Sequence, residues 1–348
     1  MKRFLIIILV LPFFAASCNV IADPFDTGGG GRGVYKSADG GDNFQSNNQL
    51  GLEDELDISV NDIEISKSGE IVYTASADGV YSSQNDESWE HLVSGIAVAD
   101  ISVEEEGVIY ASGSASGNAK IIRTDDHGKS WQSIYTEPTK SSAALSVAVS
   151  PANRNLILAG LNSGEILRSS DRGSTWQSVL DLNSFVLRLI ITDNSVYALS
   201  KGRGIWKSLD NGLNWTELSS ALTEDTFISQ SQDPTSVSIF HDMALDRKQN
   251  GVIYLGTQEG LVRTIDDGKT FSFMLLPVRD RSLKVSSVAI NPSDSNNVMI
   301  GIGSTVFVSR NGGITWESKK QKTNQTVRVM RFNPELPNVV YLGLGDKK

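Results

Sequence analysis

The chain has 348 residues, 39% of them hydrophobic, with 31 glycines and a single cysteine. That hydrophobic share belongs to a globular chain rather than a disordered one, and one thiol excludes an intramolecular disulfide. The formal charge of −10 disfavours nucleic acid and anionic lipid headgroups as general partners.

In chain order, Met1-Lys2-Arg3, an apolar run from Phe4 to Phe14 and then Ala15-Ala16-Ser17-Cys18 follow the plan of a secretory signal: basic start, short apolar core, small-residue cleavage site. The run is about half the ~20 residues that a bilayer-crossing helix needs. The lone Cys18 directly after small residues resembles the bacterial lipobox, with Ala15 where that motif usually has Leu. The resemblance implies an acylated Cys18 as first residue of the mature chain, exported and lipid-anchored to a bacterial membrane at the cell surface or the periplasmic face. Loss of Lys2 and Arg3 with the leader takes the formal charge from −10 to −12. Residues 19–32, with Asp23-Pro24 and Gly28 to Gly31, read as a flexible tether, which leaves 33–348 as one folded domain.

That domain is repetitive. An eight-residue motif occurs at Ser37 to Phe44, Thr124 to Trp131, Ser169 to Trp176, Ser208 to Trp215, Thr264 to Phe271 and Ser309 to Trp316, with a degenerate copy at Ser82 to Trp89. The terminal aromatics Phe44, Trp89, Trp131, Trp176, Trp215, Phe271 and Trp316 recur at the length of one four-stranded propeller blade, apart from a longer interval before Phe271. Short β-rich segments flank each motif, such as Gly204 to Lys207 before and Trp176 to Val179 after, so the motif is a hairpin connection. Its Ser or Thr, its acid or amide (Asp39, Asp126, Asp171, Asp210, Asp266, Asn311) and its Gly serve the turn's own backbone, and the aromatic packs between blades. A calcium role for Asp125-Asp126 or Asp266-Asp267 lacks any run of ligands like an EF-hand loop.

Two further strands precede each hairpin, for example Asp62 to Ser66 with Glu70 to Thr74, and Ser146 to Ser150 with Leu156 to Gly160. The last pair, Val327 to Asn333 and Val339 to Gly343, has no hairpin after it, while the first hairpin, Gly33 to Ser46, has no pair before it. Together they make one blade. The expectation is an all-β, seven-bladed β-propeller whose N- and C-terminal strands close one blade. The motif resembles the Asp-box, or BNR, repeat of sialidases, sortilin-type receptors, xyloglucan-degrading glycosidases and the photosystem II assembly-factor family. These share the box and not the chemistry, so the resemblance implies fold more strongly than activity.

Residues for chemistry are sparse. His91, His127 and His241 are scattered, and no phosphate loop or nucleophile elbow is visible, so neither a metal nor a cofactor is expected. The Arg-Ile/Leu-Pro signature of sialidases is absent, the xyloglucan hydrolases use two tandem propellers where this chain has length for one, and the His-Gly-Trp strand of the assembly factor is missing. The resemblance places binding on the face opposite the box turns, formed by loops such as Gln45 to Asp57, Ser219 to Ser238, Pro277 to Lys284 and Lys319 to Thr326. Aligned starts of the innermost strands carry Asp62, Asp100, Ser146, Arg188, Asp242 and Ser287, a polar ring at the channel mouth with Lys201 and Arg203 on its cationic side. With His241, Arg279 and Arg281 these form the candidate binding face. A plainer account has the acids pairing across blades as part of the repeat.

Two functions fit. One is a non-enzymatic, membrane-anchored propeller that binds a protein or membrane-complex partner, with no nucleic acid and with the membrane reached through the lipid alone. The other is a glycan-directed hydrolase or lectin that uses Asp62, Asp100 or Asp242.

Overall fold

The computed structural model describes residues 31–51, 54–105, 107–222, 239–278, 284–321 and 323–346. They form seven four-stranded antiparallel sheets and, apart from one 3-10 turn at Ser219–Ala221, contain no helix. Blades 1 to 6 take residues 60–93, 97–140, 144–181, 186–217, 240–274 and 287–320, each running from inner to outer strand in chain order. Blade 7 is composite. Its two inner strands, Thr326–Phe332 and Val340–Gly345, are followed by Gly33–Ser37 and Gln45–Ser46 from the other end of the chain. The inner strands Val60–Ile65, Ala97–Glu105, Ala144–Val149, Val186–Ile191, Phe240–Leu245, Ser287–Asn291 and Thr326–Phe332 each touch the next, and the last returns to the first. The seven-bladed ring with shared closure expected from the sequence is therefore present.

Second strands such as Ile71–Ser76, Ile157–Leu161 and Val340–Gly345 are buried along their whole length. Blades cover both of their faces, which is why they read as continuous apolar runs and not as alternation. A glycine near the end of several of them admits the next inner strand. A Cβ on Gly160 would lie 2.4 Å from Val186, and one on Gly343 would lie 2.4 Å from Val60. Motif aromatics join the apolar layers between blades: Phe44 packs with Met299 and Leu342, and Trp176 with Tyr110 and Ile157.

Hydrogen bonds account for the motif's residue choices. Thr124 Oγ1 donates to Asp126 Oδ1 (2.8 Å) and accepts from the Gly128 amide (3.0 Å), while Asp126 accepts from the Ser130 amide (2.8 Å) and hydroxyl (2.6 Å). The same set recurs around Asp39, Asp171, Asp210 and Asp266, with Asn43, Thr175, Asn214 and Thr270 in the place of Ser130. Asn311 does equivalent work with an amide, accepting from Thr315 N–H and donating to its hydroxyl, both at 2.8 Å. Two consecutive residues have positive φ, the glycine and the residue before it, as at Arg172 (60°) and Gly173 (88°). The degenerate copy is corrected by one residue. The buried hydroxyl equivalent to Thr124 is that of Ser83, not Ser82, and it donates to Glu87 O at 2.6 Å in a turn one residue shorter.

These bonds hold the motif carboxylates of Asp126, Asp210 and Asp266 down at about 2, from an ordinary 3.8. The leading causes are the Ser130 hydroxyl for Asp126, the Asn214 amide for Asp210 and the Thr270 hydroxyl for Asp266. A depressed folded-state pKa stabilises above the unfolded value and is lost as pH falls through the folded one. The triple variant Asp126→Asn/Asp210→Asn/Asp266→Asn, which copies the Asn311 solution, is therefore expected to be less stable than the parent at pH 6. The difference should shrink between pH 4 and pH 2. Urea titrations giving equal differences at both ends would contradict this origin.

A second device locks neighbouring blades. A cation on a third strand lies over a tyrosine on the second, as Lys207 over Tyr197 (5.2 Å) and Arg263 over Tyr254 (5.7 Å), and both reach the next blade's turn. Tyr197 Oη donates to Asp267 (3.1 Å), which also pairs with Lys207; Tyr254 Oη and Arg263 donate to Gly312 O (3.1 and 3.0 Å). At the closure, Lys36 and Tyr341 converge in the same way on Asp86. The stretch 45–57, expected to be a plain loop, contains the outer strand of blade 7 and a small hairpin pairing Gln49–Leu50 with Asp54–Glu55.

Candidate functional site

The aligned polar residues of the inner strands do form a ring, and the position that completes it in blade 7 is the apolar Val329, which pairs with Gly343 as Asp242 pairs with Gly256. In six blades a break of register falls beside this residue, as between Val60 and Asp62 or Phe240 and Asp242. Such a bulge re-aims a side chain. Here it turns the ring residue toward the next blade, where it accepts the amide that follows the next ring residue. Asp62 accepts from Ile101 (3.4 Å), Asp100 from Val147 (2.8 Å), Ser146 from Leu189 (2.9 Å) and Asp242 from Val288 (2.9 Å). Asp100 also holds the Ser146 hydroxyl (2.9 Å). These acids pair across blades, the plainer of the two accounts.

Blades 4 and 6 depart from the pattern. Arg188 has no acceptor to offer, so the Met243 amide is taken by Asp242 Oδ1 (2.9 Å), which also faces Arg188 at 3.6 Å. In blade 6 the pairing of Ser287 with Gly301 is regular, and the Ser287 hydroxyl, fully buried, finds no partner among the described residues.

Lower in the channel the charges are coupled. Burial opposes the Arg188 cation, but Asp242, Asp62, Asp100 and Glu64 outweigh it and hold its pKa above the ordinary guanidinium value. Burial and then the Asp62 charge push Asp100 well above the usual carboxylate range. Asp62 itself is ion-paired with Arg331 at 2.5 Å. Burial also raises Glu64, against the pull of Arg331 and Arg188. Arg331 and Glu64, not identified from the sequence, lie two residues beyond the ring positions Val329 and Asp62 on their strands.

Toward the mouth, His241 Nε2 lies 3.1 Å from Gln258 Oε1, and burial, helped by Lys284 and Lys201, lowers its pKa. Arg203 is exposed, and its backbone carbonyl accepts the Trp206 indole N–H (2.9 Å). Arg279, Arg281 and Cys18 lie outside the described residues. Among the described residues no group of three or more His, Cys, Asp or Glu is placed to hold a metal ion.

A hydrolase of glycosides needs two carboxyls about 5–9.5 Å apart on either side of the bond to be cut. Asp62 and Asp100 instead face each other on adjacent wall strands, and Asp242 is occupied by two amides and a guanidinium.

Among solved structures the chain is similar to the GH74 enzyme of Niastella koreensis, with 16% identity, a TM-score of 0.65 and 83% of this chain covered. It spans about half of that enzyme, 51%. It is also similar to YCF48 bound to D1 peptide, with 16% identity, a TM-score of 0.61 and 86% and 96% of the two chains covered. A third is the extracellular domain of the putative hybrid two component system BT4673 of B. thetaiotaomicron, at 12% identity and TM-score 0.64, covering 86% of this chain and 38% of that one. At these identities the likeness is one of fold. No curated protein matches the sequence. The DUF6242 β-propeller domain matches residues 92–328, more than half of the chain, and this protein therefore belongs to the DUF6242 β-propeller family.

Proposed function

We propose that this chain is a non-enzymatic Asp-box propeller, held at a bacterial membrane by an acylated Cys18, that presents the face opposite its box turns to a protein or membrane-complex partner. The supporting observation is that Asp62 and Asp242, and the amide and hydroxyl contacts of Asp100, are committed to joining blades. Lys201 and Arg203 are exposed on that face, side chains suited to recognition.

A photo-crosslinking residue at Ser163 or Gln258, both on the loop face, is expected to capture a partner from membranes, whereas one at Ser174 or Lys269, on the box turns, is not. Capture from the box turns alone would place the binding surface on the wrong side. Cys18→Ala should take up no labelled fatty acid, and label in that variant would remove the anchor from the reading.

The rival reading, a glycan-directed hydrolase, draws on one feature, the Asp100 carboxyl that burial and Asp62 push upward, the direction that suits a general acid. Turnover of xyloglucan, a β-glucan or a sialoside by the purified chain, lost in Asp100→Asn, would favour it.

A further inference from the structure

We infer that Lys201, Lys284 and Arg328 form an anion-binding rim at the channel mouth that receives a carboxylate-bearing peptide segment of the partner. The inference rests on the partner-binding reading above and names the chemistry recognised.

The three cations come from different blades on one face. Lys201 follows the second strand of blade 4 (Val196–Ser200), Lys284 leads into the inner strand of blade 6, and Arg328 sits in the inner strand of blade 7. Backbone bonds bring the three positions together: the Phe240 amide donates to Lys201 O (3.0 Å), Phe240 pairs with Thr257, whose carbonyl accepts the Val285 amide (3.0 Å), and Ser286 Oγ donates to Val327 O (2.6 Å). Lys284 is held below its usual range by burial first and then by the charges of Lys201 and Arg328. Half-buried Arg328 donates to Ser59 Oγ (2.5 Å) and Asn61 Oδ1 (2.8 Å), both neutral. The carboxylate whose field it feels, Asp346, is already paired with Arg32 at 3.2 Å. Among the described residues none of the three cations has an ion-pair partner, whereas Arg331, Arg188, Arg172, Lys207 and Lys36 all do.

The chain has 41 acidic residues against 31 basic ones, so the rim does not lack counter-ions for want of carboxylates. A partly buried cation without an anion is costly, and an incoming carboxylate relieves that cost at Lys284 and Arg328, while the exposed Lys201 adds its charge. Arg328, with its planar fork fixed by Ser59 and Asn61, is the orienting member, and the lysines act as point charges. Next to the charges lies apolar surface: Phe185, 44% exposed, under Lys201 at 5.5 Å, and Ile239, 39% exposed. A peptide supplies carboxylates and apolar side chains together. An anionic bilayer is flat and meets the net negative charge of the whole molecule.

The probe is a fluorescein-labelled peptide of alternating Glu and Leu, titrated with the full chain at low salt and followed by anisotropy. Lys201→Gln/Lys284→Gln should weaken binding by about tenfold or more with an unchanged melting temperature. Lys129→Gln/Lys269→Gln, which removes the same charge from the box turns, should leave it unchanged. Equal loss in both variants, no binding of the peptide, or preferential binding to phosphatidylserine vesicles with the same dependence on Lys201 and Lys284 would each overturn the rim. If the peptide fails while crosslinks from Ser163 or Gln258 persist, the rim is wrong and the loop-face reading stands. Crosslinks confined to the box turns would sink that reading instead.

Discussion

Deleting residues 326–348 is expected to abolish cooperative unfolding, and not merely to lower its midpoint. The segment supplies both inner strands of blade 7, and Val327, Val329, Met330, Val340, Leu342 and Leu344 are each at most 3% exposed. At about 1.5–3 kcal/mol for each buried side chain, the lost burial rivals the ~5–15 kcal/mol by which a domain of this kind is stable. The deletion also strands Gly33–Ser37 without its partner Val340–Gly345, which bares one sheet edge on the orphaned hairpin, and it uncovers the face of blade 1 that blade 7 packs against. Removing the N-terminal hairpin, residues 33–46, is milder, because Thr326–Phe332 and Val340–Gly345 still complete the inner ring. Urea titration by tryptophan fluorescence distinguishes the cases, and a 326–348 deletion that unfolds like the parent would rule out the shared blade as the closure.

The second large effect is expected at Asp242. Its carboxylate accepts the Val288 and Met243 amides and faces Arg188, with only 9% of the side chain exposed. Asp242→Ala orphans two buried N–H groups at about 1–3 kcal/mol each and takes a counter-ion from Arg188. Removing one partner of a buried pair costs about 3–5 kcal/mol, and the lower end applies because Asp62, Asp100 and Glu64 still neutralise the guanidinium. Asp242→Asn keeps one acceptor oxygen and should lose less. Combining Asp242→Ala with Arg188→Met should destabilise by less than the sum of the single changes, by about 0.5–3 kcal/mol, since the uncompensated cation is gone. Strict additivity in chemical denaturation would mean that the 3.6 Å approach carries no coupling.

What the sequence revealed and what it hid follow from the range of the interactions. The hairpin motifs were legible because their bonds span four residues: Thr124, Asp126, Gly128 and Ser130 satisfy one another. Closure was legible because each end of the chain lacked what the other had. The ring positions were visible as repeats, but their role was not, since the amide taken by Asp100 belongs to Val147 in the next blade. Arg328 was missed because Val327 to Asn333 was read as a closing strand and not aligned with the other inner strands; that alignment puts it one residue before the ring position Val329, level with Asn61 and His241. Lys284 carries no pattern at all. Its significance lies in having Lys201 and Arg328 beside it and, among the described residues, no ion-pair partner, a matter of three blades meeting. The tyrosine and cation pairs, Tyr197 with Lys207 and Tyr254 with Arg263, were detectable as a recurrence on second and third strands, hidden by the stronger signal of the boxes.

The shared blade also sets a clock. Gly33–Ser37 is among the first strands to be made and its partner Val340–Gly345 among the last. Contacts so distant in sequence are slow to form, because the entropy of closing the loop must be met before the pairing rewards it. Until then Lys36 and Tyr35 stand in a hairpin with an open edge, and blades 1 to 6 form an unclosed arc. A second chain at the same stage offers the missing pair just as well, so high concentration during refolding should yield dimers that exchange their 326–346 segments, while dilution should yield monomers.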